Sequence, residues 1–198
     1  MATLTAASGS LGEGLAFADR IPFACHVVEQ LPDSCDYHSL QESNGAVLQA
    51  ILCLEDIPRD NLDEGNSDRL ELIRLEHKVN LMFELVALLY ERENQLPLPQ
   101  SVILRSDSVQ WHSTAAPLAP GSRVVLDLYL NRKYPRPLVL PGIVVASEAS
   151  HEPVVTAVFD DAVSARIRDG IDKFIFRHHR RRIANSRRQP SVPPRKHA

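Results

Sequence analysis

At 198 residues, 44 % hydrophobic and 24 % charged, the chain is long enough to bury a substantial core and has the balance of an ordinary soluble globular domain with appended elements. No apolar run reaches the roughly 20 residues that a membrane-crossing helix requires, and no basic residue precedes Arg20, so no secretory leader is expected. Three cysteines without metal-ligand spacing, Cys25, Cys35 and Cys53, fit reduced thiols in a cytoplasmic protein.

Residues 1–18, rich in Ala, Thr, Ser and Gly, are expected to form a disordered N-terminus. Residues 21–28 read as a first strand, with Pro22 near its start, where a missing N–H costs least. Pro32, Asp33 and Ser34 form a turn. Val47, Leu48, Ile51 and Leu54 then mark one face of a helix over residues 44–56. Pro58, Asn61, Gly65 and Asn66 interrupt the chain.

Between Ser67 and Glu93 there is neither proline nor glycine, and apolar residues fall at alternating spacings of three and four: Leu72, Leu75, Val79, Met82, Val86 and Leu89. That is a heptad seam, suited to packing along a partner helix in an oligomer. Ser67 or Asp68 can cap its first turn, with Glu71 three residues past Asp68. A second row, Leu81, Leu85 and Leu88, widens the apolar face. A face this broad favours more than two helices, or one side on a partner and the other on its own domain. The competing arrangement is a long amphipathic helix in a monomer's core.

Pro97 and Pro99 end the helix, and the period then changes to two. Residues 102–104 and 109–111 read as strands flanking a Ser106–Asp107–Ser108 turn. Residues 123–130, 138–146 (interrupted at Pro141–Gly142) and 154–159 complete a set that suggests a small β-barrel or sandwich. A closing helix over residues 162–188 can lay Ile167, Ile171, Phe174, Ile175 and Ile183 against the barrel while its basic residues face out. Residues 189–198 are expected to be a flexible basic tail.

Enzyme signatures are absent. There is no Gly-x-Ser-x-Gly elbow, no His-Glu-x-x-His and no Cys-x-x-Cys. Gly9, Gly12 and Gly14 follow no strand and lack the Lys-Ser/Thr ending of a phosphate loop, so they belong to the flexible terminus. His178 and His179 point to different sides of a helix and make a poor metal pair; a solvated or interfacial role suits both. Asp160 and Asp161 complement the dipole at the start of the closing helix. No catalytic residue, metal or cofactor is expected.

The arginines carry more information. Of the 22 basic residues, seven arginines and one lysine lie from Arg177 onward in a stretch without an acid, which leaves the rest of the chain strongly acidic. Arg177 and Arg181 lie four apart on one helical face, Arg188 continues their row, and Arg180 and Arg187 form an adjacent one. Guanidinium forks suit phosphate oxygens, and the same cations complement the C-terminal dipole of a solvated helix end. A nucleotide, another subunit and nucleic acid are the candidate partners. Beyond Phe176 no aromatic is interleaved with the arginines, which argues against single-stranded nucleic acid.

The chain thus runs from a strand through helical segments with a heptad seam to a series of short strands and a closing helix. That order, together with Ser106–Asp107–Ser108–Val109–Gln110–Trp111, Leu128–Tyr129–Leu130, Leu140–Pro141–Gly142, Val158–Phe159 and the helix from Ile171 to Arg181, resembles the PilZ domain superfamily over most of residues 18–188. The resemblance is to its atypical branch, with inserted heptad helices. It implies an α+β fold: a small antiparallel six-stranded β-barrel, with inserted helices over about 39–95, the main strand region over about 101–160 and a C-terminal helix over about 161–188. It also implies a non-enzymatic, oligomeric effector in bacterial cyclic di-GMP signalling, tetrameric through the long helices and possessing a protein partner. The alternative is a scaffold that has lost nucleotide binding and acts through protein contacts alone.

In ordinary PilZ domains the ligand is held by an Arg-x-x-x-Arg segment before the barrel and an (Asp/Asn)-x-Ser-x-x-Gly turn on it. Arg20 stands for the first arginine here, but the residue four later is Ala24. Ser106 stands for the serine, with Leu104 in place of the acid and Val109 in place of the glycine. The literal Arg177-x-x-x-Arg181 lies at the opposite end of the domain. The resemblance therefore makes Arg20 and Ser106 the expected contacts for cyclic di-GMP, with Arg177 and Arg181 as a relocated phosphate grip.

Overall fold

The structure is a computed structural model and describes residues 14–55, 67–113, 118–147 and 153–188. Alternation along the strands builds the core. In β4 (Arg123–Leu128) Val124, Leu126 and Leu128 are fully buried while the residues between them turn outward. The other strands, β1 (Phe17–Val27), β2 (Pro99–Leu104), β3 (Ser108–His112), β5 (Leu138–Ser147) and β6 (Val154–Phe159), send alternate apolar residues inward too, with neighbours such as Ser108, Pro141, Gly142 and Thr156 also covered. The six close an antiparallel barrel in the order β1-β2-β3-β6-β5-β4, which leaves no sheet edge open. β1 is long enough to serve two neighbours: residues 17–22 pair with β2 and residues 23–27 with β4. Helices α1 (Ser34–Glu55) and α2 (Ser67–Glu93) are inserted between β1 and β2, and α3 (Ala165–Arg188) follows β6. This is the PilZ-like α+β architecture that the resemblance implies.

Several local expectations are corrected. β1 begins at Phe17, inside the segment expected to be loose. Phe17 is buried, with its ring 5.0 Å from that of Phe174. β5 runs straight through Pro141–Gly142. Pro141 pairs with Val125, and Gly142 permits a close strand approach, since a Cβ there would lie 2.6 Å from the Val158 carbonyl oxygen. α1 starts at Ser34 because the Pro32–Asp33–Ser34 turn is its cap, the Asp33 carboxylate accepting from the Asp36 N–H at 3.0 Å. Asp160 does not sit on the α3 N-terminus, which begins only at Ala165. Its carboxylate instead accepts from the Tyr37 hydroxyl at 3.0 Å and the Ala162 N–H at 2.9 Å.

α1 and α3 pack side by side and run the same way: Gly45 meets Ile167, Leu48 meets Gly170, and Leu52 meets Arg177. Val47, Leu48 and Ile51 of α1 and Ile167, Ile171, Phe174 and Ile175 of α3 join the barrel core. α1 is fastened to the barrel by Asn44, buried, whose amide donates to the Val139 carbonyl at 2.7 Å and accepts from the Val139 N–H at 2.9 Å. Ile183 is exposed, contrary to expectation, because by that point α3 has run past Phe17, the first residue of β1.

Residues 1–13, the interruption at Pro58, Asn61, Gly65 and Asn66, and the 189–198 tail lie outside the described residues. So do the side chains of Cys35, Ser67, Asp68, Arg187 and Arg188.

Candidate functional site

α2 spans 27 residues, about 40 Å. Its seam residues Leu72, Leu75, Val79, Met82, Val86 and Leu89 are 42 % to 65 % exposed, and Leu81, Leu85 and Leu88 are as open. Of the described side chains on this helix, only Ala87 is buried. α2 is therefore not part of its own chain's core. At 100° per residue, the exposed apolar side chains other than Ile73, which lies near the start of the helix on the opposite side, run from Leu88 through the seam to Phe83, an arc of roughly 220°. The opposite side meets the barrel: Ala87 is covered, and Glu84 pairs with Lys133 at 2.8 Å, which holds the Glu84 carboxyl below the usual range. A cleft beside the end of α2 is lined by Pro22, Glu91, Pro99, Tyr129, Asn131 and Arg132.

The four expected ligand contacts do not form one cluster of mutual hydrogen bonds. Arg177 turns toward α1, donating to the Leu52 carbonyl at 2.9 Å and satisfying an end carbonyl of that helix. Arg181 lies one turn further along, exposed, beside exposed Arg180 and Arg182. The Arg180 guanidinium sits 5.8 Å over the ring of exposed Phe176. His178, between these cations, packs edge-on against Phe17 at 4.6 Å and also meets Phe174. Burial lowers its pKa, opposed by Asp19 and reinforced by Arg182, Arg181 and His179.

Arg20 is exposed on β1 and donates through Nε to the Pro99 carbonyl at 3.2 Å. Ala24 faces Asp127 across the β1–β4 ladder, so a carboxylate stands beside the position that would carry the second arginine. Asp127 lies 3.3 Å from His26, yet burial raises its pKa more than His26 lowers it. Next to it, burial first and Asp127 second push the Cys25 thiol up to about 11.

Ser106 lies in the short β2–β3 turn, partly exposed, at the end of the barrel where Phe17 pairs with Leu104 and His178 packs on Phe17. Arg20 is three residues along β1 from that line, about 10 Å. The turn is closed by the Arg105 N–H donating to the Ser108 carbonyl at 2.8 Å and tied to β6 by the Phe159 N–H donating to the Asp107 carbonyl at 2.8 Å. Leu104 and Val109, the departures from the family turn, are fully buried and face each other across the β2–β3 ladder. Neither position could hold a solvent-facing acid or leave room for a ligand. Sequence reading passed over Arg105, the one basic side chain in this turn; its place directly before Ser106 was the available signal.

Among the described residues no cluster of three or more His, Cys, Asp and Glu could hold a metal ion, and no helix is long and apolar enough to cross a membrane.

One solved structure shares this architecture over most of the chain. A solved structure of a pathogenic protein from Xanthomonas campestris, described as a new tetrameric PilZ domain self-assembled via an unusual helical bundle, aligns with a TM-score of 0.69 at 20 % identity. It covers 88 % of this chain and 93 % of its own. The Bacillus subtilis inhibitor of motility aligns over 42 % of this chain and 43 % of its own, at 10 % identity and a TM-score of 0.36. No curated protein matches the chain. The family model for the atypical PilZ domain, described as a cyclic di-GMP receptor, matches residues 48–188, from the middle of α1 to the end of α3. With more than half of its length matched, and with the closed barrel, inserted helices and closing helix in place, this chain belongs to the atypical PilZ domain family.

Proposed function

We propose that this chain is a non-enzymatic, cytoplasmic effector in cyclic di-GMP signalling that works as an oligomer assembled through α2. The observation that carries the assembly is the exposed seam together with the rows flanking it. An apolar arc of roughly 220° is wider than one partner helix can cover, which favours a bundle of more than two. A tetramer is the favoured assembly, as described for the similar protein from Xanthomonas campestris. Replacing Val79 and Met82 together with Glu is expected to reduce the particle to a monomer in light scattering. Emission from Trp111, which is buried in the barrel 5.2 Å from Phe23, should stay unchanged. An unchanged mass in the folded variant removes the assembly claim.

Receptor function is supported by the family and by the arginines at the α3 end of the barrel. Calorimetric titration with cyclic di-GMP at physiological salt is expected to show saturable heat. The second reading, a scaffold acting through a protein partner, is favoured by one specific feature: the grip of ordinary PilZ domains is dismantled. Ala24 faces Asp127, and Leu104 and Val109 are core residues; Arg177 of the relocated grip, for its part, is engaged by the Leu52 carbonyl. Absence of heat, with the seam intact, selects the scaffold.

A further inference from the structure

The inner side of α3 is held on the core by Ile167, Ile171 and Phe174, and His178 still reaches the ring of Phe17. Its outer side carries a different set. At 100° per residue, Phe176, Arg180 and Ile183 fall within an arc of about 60°, opposite the inner side. This stripe is open: Phe176 is 51 % and Ile183 40 % exposed, and exposed Arg180 between them holds its guanidinium 5.8 Å over the Phe176 ring. Arg182, one residue before Ile183, is exposed as well. The two acids of α3, Asp169 and Asp172, both precede Phe176, and Asp169 is taken up by Lys173 at 2.7 Å. From Arg177 onward lie eight of the 22 cations and none of the 25 acids of the chain.

Charge segregated in this way turns one end of a molecule toward a polyanion and its acidic remainder away. A bilayer of anionic lipid and a nucleic acid both meet that condition, and the apolar pair separates them. Against a sugar-phosphate backbone Phe176 and Ile183 would gain nothing. At a bilayer they enter the boundary between headgroups and acyl chains, while the arginines remain among the lipid phosphates. Reversible attachment to a membrane takes two signals together, an apolar insertion and a basic patch, and the outer side of α3 supplies both. The stripe is the convex side of a helix, which suits a broad surface better than a small ligand. The cytoplasmic leaflet offers such an anionic surface to a cytoplasmic protein.

We propose that the outer side of α3, from Phe176 to Ile183, docks the protein on an anionic lipid surface, with Phe176 and Ile183 as the apolar anchors and Arg180 and Arg182 as the phosphate contacts. The α2 seam takes no part in this contact, and no nucleotide is needed for it.

The test mixes the full chain, without nucleotide, with sucrose-loaded vesicles of phosphatidylcholine alone or of phosphatidylcholine with phosphatidylglycerol at physiological salt. The bound fraction is read after sedimentation. Binding is expected only with phosphatidylglycerol and should weaken as salt is raised. Phe176→Ser with Ile183→Ser should lower the partition coefficient about tenfold or more, and Arg180→Gln with Arg182→Gln by a similar factor. All four side chains are exposed, so the variants should keep the wild-type emission of buried Trp111. Phe176→Trp adds a readout that charge alone does not move: its emission should shift to blue on phosphatidylglycerol vesicles, to which Trp111, already buried, adds nothing. Absence of sedimentation with those vesicles overturns the proposal, as does undiminished binding in the folded Phe176→Ser, Ile183→Ser variant. No blue shift from the tryptophan at position 176 overturns it too. If duplex DNA is bound equally by the wild type and that apolar variant while vesicles are not, the basic end belongs to nucleic acid and the proposal fails. Because the vesicle measurement contains no cyclic di-GMP, its failure and the failure of the receptor reading are distinguishable.

Discussion

The barrel with α1 and α3, and the helix α2, treat the same kinds of side chain in opposite ways. In the barrel, leucines, valines and isoleucines disappear from solvent: Leu104, Leu126, Leu138 and Ile171 are fully buried. On α2 the same residue types stay open, with Leu72, Leu85, Val86 and Leu89 each near 60 % exposed. The first region has satisfied its hydrophobic demand within the chain. The second keeps an apolar face that none of the described residues covers, the surface on which the proposed assembly rests. At roughly 1.5–3 kcal/mol for each fully buried large apolar side chain, the α2 face holds enough latent stabilisation to drive assembly.

That division can be broken or sharpened by substitution. The seam pair Val79→Glu and Met82→Glu should have the largest consequence, loss of the assembly, while leaving Trp111 in its buried environment. If Trp111 emission shifts to red in the variant, α2 supports the barrel and the contrast between the regions collapses. Within the barrel unit, Asn44→Leu should cost about 2–4 kcal/mol in chemical denaturation, since it orphans both backbone groups of Val139 that the amide satisfies. The seam variant should leave that cost unchanged.

Gly142→Ala should cost about 1–3 kcal/mol, because the new methyl would press on the Val158 carbonyl oxygen, a backbone atom that cannot rotate away. The smallest effect is a pH dependence at the α3 end. The His178 pKa is lowered in the folded state, so the unfolded chain binds the proton more readily. The stability this contributes is present above the ordinary histidine value of about 6.5 and is lost as pH falls through it toward the folded value. Melting temperatures measured across that range should decline toward acid more steeply in the wild type than in His178→Phe. Equal slopes would remove His178 as the source.

Much of the fold was legible in the chain because it rests on local periodicity. The three-and-four spacing of α2 and the period of two from β2 to β6 follow directly from how side chains project from helices and strands. The candidate site was less legible. Ser106 and Arg20 were found by pattern, yet pattern could not show that Leu104 and Val109 face each other inside the barrel, or that Asp127 stands opposite Ala24. Arg105 stands directly before Ser106, but that its Nε is buried without a partner emerges only from the fold. Arg177 was chosen for its spacing from Arg181, a property of one helix, and its attachment to Leu52 depends on where a second helix ends.

Periodicity and composition alone established that α2 is a helix with an apolar face too wide for its own polar side, and that short alternating strands follow it. These are properties of consecutive residues, set by backbone geometry and side-chain chemistry. Whether that face was to be covered by the same chain or left open was settled only in three dimensions, because α1 and α3 already occupy the barrel's helix-packing surface and α2 meets it through little more than Ala87 and Glu84. The choice among arginines was settled the same way. Which cation is engaged and which is left unpaired depends on residues distant in sequence, and contacts of that kind exist only once the barrel has closed.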